Sequence, residues 1–372
     1  MSANEAMGII FSNMHDEMLR ELTGVRTMGS VPFGGRYRLI DFPLSNMVNS
    51  GISKVGVITK SNYQSLMDHL GSGKAWDLAR KTGGLFILPP FGVASAGFYQ
   101  SRVEALYGIR QFLQHSSEEY VMVSDCDVVA NIDLEKFIDR HIESGAKISF
   151  LCKRGEYSSK RGDVLVFNTD ADSRVTDILV SPEDSGGKLH SLNMYIIEKQ
   201  YLMDVVADAM SRNYTSLYRD VFQKVFREEK ICAYEFEGFS AVIDSMPGYV
   251  RANMALLNAD VRAQLFDRTR PIYTKIRDEM PVKYGLGAKM SNSLIADGCT
   301  IEGTVENSIV FREVKIGKGA RVTNSIIMQG GVIGEDAVLD YVTTDKNVVI
   351  RPGRNFMGFE SYPVFLPKGE TV

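Results

Sequence analysis

The sequence is poor in cysteine, in charge of one sign and in long apolar runs. Its 372 residues include four cysteines, and Cys126, Cys152, Cys232 and Cys299 show no Cys-x-x-Cys pair and no metal-ligand spacing. That argues against a disulfide framework or a metal cluster. Three of the four adjoin apolar strand-like runs, so they read as reduced core thiols of a cytoplasmic protein. The net charge of −4 comes from interspersed acids and bases, which gives no bulk attraction to nucleic acid or to an anionic membrane. No window approaches a membrane span, and no basic stretch leads into an apolar one as a secretory leader would.

Glycine is missing where it would matter most. Gly8-Ile9-Ile10-Phe11 is an apolar first strand, and the loop after the first strand of an α/β domain is the usual place for a phosphate cradle. Here residues 12–23 carry no glycine before Gly24, and Asp16 and Glu17 are adjacent acids. A backbone that must approach phosphate closely uses glycine, and a carboxylate about 4 Å from a phosphate oxygen would repel it by several kcal/mol at an effective dielectric near 20.

What is present is a long α/β alternation. Short β-branched or apolar runs at 54–59, 85–88, 120–123 and 147–151 predict strands, and helical spacing falls at 63–70, 102–113 and 134–143. This predicts a mostly parallel sheet with helices on both faces and ligands beyond the carboxyl ends of its strands. From 164 to 244 the pattern is mixed, with strands at 164–167, 192–197 and 231–236 and a polar turn at 181–187. Helical spacing covers 200–210, 217–227 and 247–258. Residues 260–285, with Pro271 and Pro281, read as a linker.

Beyond Gly285 one tetrapeptide recurs. Asn292-Ser293-Leu294-Ile295, Asn307-Ser308-Ile309-Val310 and Asn324-Ser325-Ile326-Ile327 interleave with Ile-Gly turns at Ile316 and Ile333. Aliphatic positions about every six residues with glycine corners predict a β-helix, the alternative being a sandwich of short strands. The last histidine is His190, outside these repeats, which argues against a histidine-dependent acyltransferase.

Phe33-Gly34-Gly35-Arg36-Tyr37-Arg38-Leu39-Ile40-Asp41-Phe42-Pro43-Leu44-Ser45-Asn46, joined to a C-terminal β-helix, resembles the bacterial glucose-1-phosphate adenylyltransferases (ADP-glucose pyrophosphorylases) of glycogen synthesis across essentially the whole chain. The resemblance implies an α/β fold with a Rossmann-like, GT-A-like nucleotidyltransferase mixed sheet over 1–259, a linker over 260–285 and a left-handed parallel β-helix over 286–372. It implies the family's reaction, ATP and glucose 1-phosphate giving ADP-glucose and pyrophosphate with Mg²⁺, in regulated tetramers.

The departures from the family's pattern are as specific as the match. Its glycine-rich loop falls on Ser12, Asn13, Met14, His15, Asp16, Glu17, Met18 and Leu19, so glycines become Asn13, Met14 and Asp16 and the catalytic arginine becomes Met18. Its loop lysine falls on Met28, its sugar-phosphate lysine on Ser181, and its nucleotide-facing Gly-Thr-Ala on Ser101-Arg102-Val103. Nucleotidyl transfer depends on positioned cations and donors, and losing one costs roughly 3 to 7 kcal/mol of transition-state stabilisation. The expectation is therefore no catalytic residue set and no required cofactor.

Two aspartates match the family's metal ligands, Asp125 and Asp244. They would hold Mg²⁺ or are vestigial; Asp127 reads as solvated. Arg36 stands at the family's effector-contacting lysine, and with Arg38 and Arg26 it is a candidate contact to a phosphorylated sugar or other anionic effector. The alternative pairs Arg36 and Arg38 with Asp41 or with a neighbouring subunit. The implied role is a regulatory subunit in a hetero-tetramer with a catalytic subunit, homo-oligomers being a further option. Its rivals are an active transferase rebuilt around Arg20 or Arg102, and a stand-alone sugar-phosphate sensor.

Overall fold

The computed structural model describes residues 5–90, 99–157, 162–183 and 186–372. The middle of the turn expected at 181–187 lies outside them.

Strand β1 (Ala6–Phe11) is buried along its whole length. Its side chains alternate between two cores, Ile10 on one face of the sheet and Ile9 and Phe11 on the other, as expected of a central parallel strand covered on both faces. A short hairpin follows, β2 (Pro32–Phe33) and β3 (Tyr37–Arg38). Then come β4 (Lys54–Ile58), β5 (Gly84–Leu88), β6 (Tyr120–Asp125) and β7 (Val128–Ala130). Strands β8 (Ile148–Gly155), β9 (Leu165–Thr169), β10 (Val175–Val180), β11 (Lys188–Glu198), β12 (Ile231–Glu235) and β13 (Ser240–Val242) complete the domain. The main sheet runs β10-β9-β11-β6-β1-β4-β5, with β8 pairing both β11 and β12. The strands from β6 to β5 in that order are parallel, whereas β11 is antiparallel to β6, β8 and β9.

The motif at 33–46 is a scaffold piece. Gly34 and Gly35 turn the β2–β3 hairpin at φ +60 and +86, a backbone that side chains disfavour. The hairpin sends the chain into the helix Asp41–Asn49 and holds Arg36 and Arg38 toward the second domain.

That second domain consists of three five-stranded sheets of parallel strands, the arrangement of a left-handed β-helix. The repeated tetrapeptide has a local cause. Asn292, Asn307 and Asn324 take φ +41, +45 and +48 at one corner, a conformation asparagine tolerates better than most residues. Each serine hydroxyl accepts a backbone N–H from the next coil, Ser293 from Ser308, Ser308 from Ser325 and Ser325 from Val342, at 3.0 to 3.1 Å.

The segment read as a linker is partly structured. It begins inside the helix Ala259–Leu265 and ends with the first β-helix strand, Lys283–Tyr284. The two domains share a core, because Ile309, Phe311, Ile326 and Met328 belong to the same apolar cluster as Ile10, Phe33 and Phe42. A buried ion pair crosses the junction, Arg26 donating to both oxygens of Asp345 at 2.9 Å. All four cysteines are free and buried. Among the described residues no helix is long and apolar enough to cross a membrane.

Candidate functional site

In a sheet of this kind ligands sit beyond the carboxyl ends of the parallel strands. Phe11 ends β1, Asp125 ends β6, and the two are partners in the register. Around them the loop is bound up in its own side chains. The Ser12 hydroxyl donates to the Ile58 carbonyl at 2.8 Å, and Asn13 accepts from the Tyr99 hydroxyl at 2.8 Å. Met14 is half-buried against the apolar cluster on that face. The chain continues as a 3-10 turn, Asp16–Leu19, and a short helix, Arg20–Thr23, so no long helix aims its N-terminus at the strand ends.

Asp16 does not face the cleft as a bare repelling charge. Its carboxylate accepts the Met28 N–H at 2.7 Å, and burial pushes its pKa up to about 7. Glu17 is exposed and pairs with Arg20. Met28 itself is buried in the core. Ser181 closes the end of β10, its hydroxyl accepting the Val164 N–H at 3.0 Å. Met28 and Ser181, which the resemblance matches to family lysines, are thus built into the frame.

The strand-end cleft is lined by carboxylates that the chain neutralises itself. Arg102 opens the helix Arg102–Gly108, which Ser101 caps by accepting the Glu104 N–H. Its guanidinium grips Asp125 with two bonds of 2.6 Å and reaches Asp163 at 3.0 Å. It lies over the rings of Phe11 and Tyr218. Burial alone would lower its pKa, but Asp125, Tyr218 and Asp163 around it together more than offset this and raise it. His15 completes the cluster, Nδ1 at 2.8 Å from Asp127 and Nε2 at 2.8 Å from Asp163. Two ring nitrogens facing two carboxylates require either an imidazolium or a protonated carboxyl. The Asn193 amide donates to Asp125 at 3.1 Å.

Mg²⁺ does not fit this arrangement. It demands oxygen ligands in near-octahedral order, and both oxygens of Asp125 already accept N–H bonds. Asp244, the second aspartate matched to the family, lines a neighbouring cavity of about 530 Å³ with Lys153, Arg154, Tyr157, His190 and Arg251. Its carboxylate accepts the Ser245 hydroxyl at 3.0 Å. Asp127, read from sequence as solvated, is buried. The sequence marks His15 only as a loop position and leaves Asp163 and Asn193 unmarked, since nothing local signals contacts that span up to 148 residues.

A second cleft lies at the domain junction, with a basic lining. Arg36, Arg38, Lys275, Arg277, Arg312 and Lys346 line it, with no carboxylate among the lining residues. It is narrow, about 30 Å³ against the 530 Å³ of the Asp244 cavity. Arg36 is exposed and leans on the Tyr37 ring. Arg38 is buried and donates to Ser65, and only its backbone N–H meets Asp41, whose other oxygen holds His69. Burial lowers the Arg38 pKa to about 10, and burial with the neighbouring Arg38 and Arg26 lowers that of Lys346 to about 7. Arg26 lies behind the cleft on Asp345 rather than among its lining.

A nucleotidyl transferase family model matches residues 8–253, and a GlmU-like C-terminal hexapeptide model matches 282–361. The glycogen biosynthesis protein GlgD of Bacillus subtilis (strain 168) is 36% identical over 99% of this chain and 97% of its own length. The chain belongs to the glucose-1-phosphate adenylyltransferase family of nucleotidyl transferases. Within this adenylyltransferase family, GlgD of Geobacillus stearothermophilus is 42% identical over 84% of the chain and 81% of its own length. The glucose-1-phosphate adenylyltransferase of the same organism is 34% identical over the same shares. This adenylyltransferase-family chain thus keeps the two-domain frame while Arg102 and His15 pair with the carboxylates at its strand ends.

Proposed function

We propose that this chain is a non-catalytic or weakly active regulatory subunit of ADP-glucose pyrophosphorylase in glycogen biosynthesis, a cytoplasmic protein assembling with a catalytic paralogue into a hetero-tetramer. The observation that carries the reading is the reversal of charge between the two clefts. Where ATP phosphates would sit, carboxylates are neutralised from within the chain. At the domain junction, six basic side chains line a narrow cleft, and a planar guanidinium suits phosphate. Of the six, Arg312 pairs with Asp297, Arg277 lies 3.9 Å from Glu313 and Lys346 is only partly charged near pH 7. An anion there would bridge the hairpin, the inter-domain segment and the β-helix, so its binding favours one mutual setting of the domains. This supports a phosphorylated sugar or similar anion as the effector.

A rebuilt active site is disfavoured by the residues it would need. Arg102 is committed to Asp125, and Arg20 is exposed beside Glu17. A stand-alone sugar-phosphate sensor draws support from the Asp244 cavity, with Lys153, Arg154 and Arg251 on its walls. Native mass measurement of this chain mixed with a catalytic paralogue, alongside the rate of ADP-glucose formation, separates the readings. The regulatory reading expects a mixed tetramer whose rate or effector response differs from that of the catalytic subunit alone. No complex and no change in rate would leave the sensor.

A further inference from the structure

The carboxylates at the ends of β1 and β6 cannot stay buried as charges without a cation, because an unpaired buried charge costs several kcal/mol. Asp125 and Asp127 are about 1% exposed, and Asp163 is half-buried. Among the described residues, the Arg102 guanidinium and the His15 imidazole are the basic groups that pair with them. Arg102 is fixed in place by its fork on Asp125 and by the rings of Phe11 and Tyr218.

We infer that the Arg102 guanidinium, assisted by the His15 imidazole, is the resident cation of this cluster, held where a divalent ion would otherwise sit, and that it makes the chain independent of divalent metal. The assignment goes beyond the regulatory reading and holds whether or not the chain acts on a partner.

The inference has a positive consequence. If the charge of Arg102 is removed while its packing is kept, the cluster should accept a divalent cation in its place. His15, Asp125 and Asp163 each offer a ligand atom, and these atoms lie within 4.8 Å of one another. One imidazole and two carboxylates suit a first-row divalent ion such as Mn²⁺ better than Mg²⁺.

The test uses the full chain as wild type, as Arg102→Met, whose unbranched side chain keeps contact with Phe11 and Tyr218, and as Arg102→Met/Asp125→Asn. Bound Mn²⁺ is counted by electron paramagnetic resonance, and thermal unfolding is followed with and without Mn²⁺. Wild type should take up no Mn²⁺ at this cluster and show no shift in its unfolding midpoint. Arg102→Met should gain one Mn²⁺ per chain and an Mn²⁺-dependent rise in midpoint, and the double variant should lose both. If Arg102→Met does not fold alone, refolding in Mn²⁺ should recover it. Stoichiometric Mn²⁺ on wild type that Asp125→Asn abolishes would overturn the inference. So would a folded Arg102→Met that binds none, or an unfolded one that Mn²⁺ does not rescue.

Discussion

Asp16 illustrates how a residue that would oppose phosphate binding is reused. The sequence marks it as a charge beside the expected phosphate position, and the structure turns it onto the Met28 N–H. Desolvation raises its pKa from 3.8 to about 7. Between those values the folded chain holds a proton that the unfolded chain has released, so stability falls as pH rises from about 4 through about 7. Asp16→Asn keeps an acceptor for Met28 and removes the charge. It should stabilise the chain at pH 8 by about 1–2 kcal/mol, the half-buried position being screened by solvent, with a smaller gain at pH 5. Urea unfolding at the two pH values checks this; a variant less stable than wild type at pH 8 would contradict it. At this scale the sequence predicts a loop that does not cradle phosphate. It does not show where the side chains go, because the partners of His15 and Arg102 are brought to them only by the fold.

The elements were legible where a local period or a repeat marks them. The three Asn-Ser tetrapeptides reveal the β-helix because asparagine and serine recur for corner geometry and inter-coil bonding. Strand β10 was missed because a bulge between Val175 and Asp177 breaks its alternation, so Val175 and Ile178 are buried three apart. The helix expected over 217–227 opens instead as a π-helix, Leu217–Phe222, which carries Tyr218. The helix expected over 102–113 divides at Ile109 into Arg102–Gly108 and Arg110–Gln114. Strand β11 changes register between Ser191 and Met194, pairing with β9 at Leu189 and His190 and with β6 from Met194. Asn193 sits in that bulge at φ +54 and turns its amide onto Asp125. Asn193→Gly loses only the hydrogen bond, whereas Asn193→Ala adds the strain of a left-handed backbone. Alanine should therefore be the less stable by about 1 kcal/mol in denaturant unfolding. Equal stabilities would show that the bulge relaxes without the asparagine.

At the scale of the whole molecule the two domains act as one frame. The motif at 33–46, read from sequence as retained structure with effector contacts, forms one wall of the junction cleft, and its Phe33 and Phe42 share a core with β-helix residues. The sequence could name Arg36 and Arg38 but not Lys275, Arg277, Arg312 and Lys346, which join them only once the coils dock. The frame of a nucleotidyltransferase has been kept, and on the proposed regulatory reading the pairing of Arg102 with Asp125 takes the place of an open catalytic site. The most direct measurement is the rate of ADP-glucose formation by the purified chain alone, with saturating Mg²⁺, ATP and glucose 1-phosphate, beside a catalytic relative. The rate should fall below that of the relative by about 10³-fold or more, the loss of several phosphate-binding groups together. A rate comparable to the relative's would contradict the account.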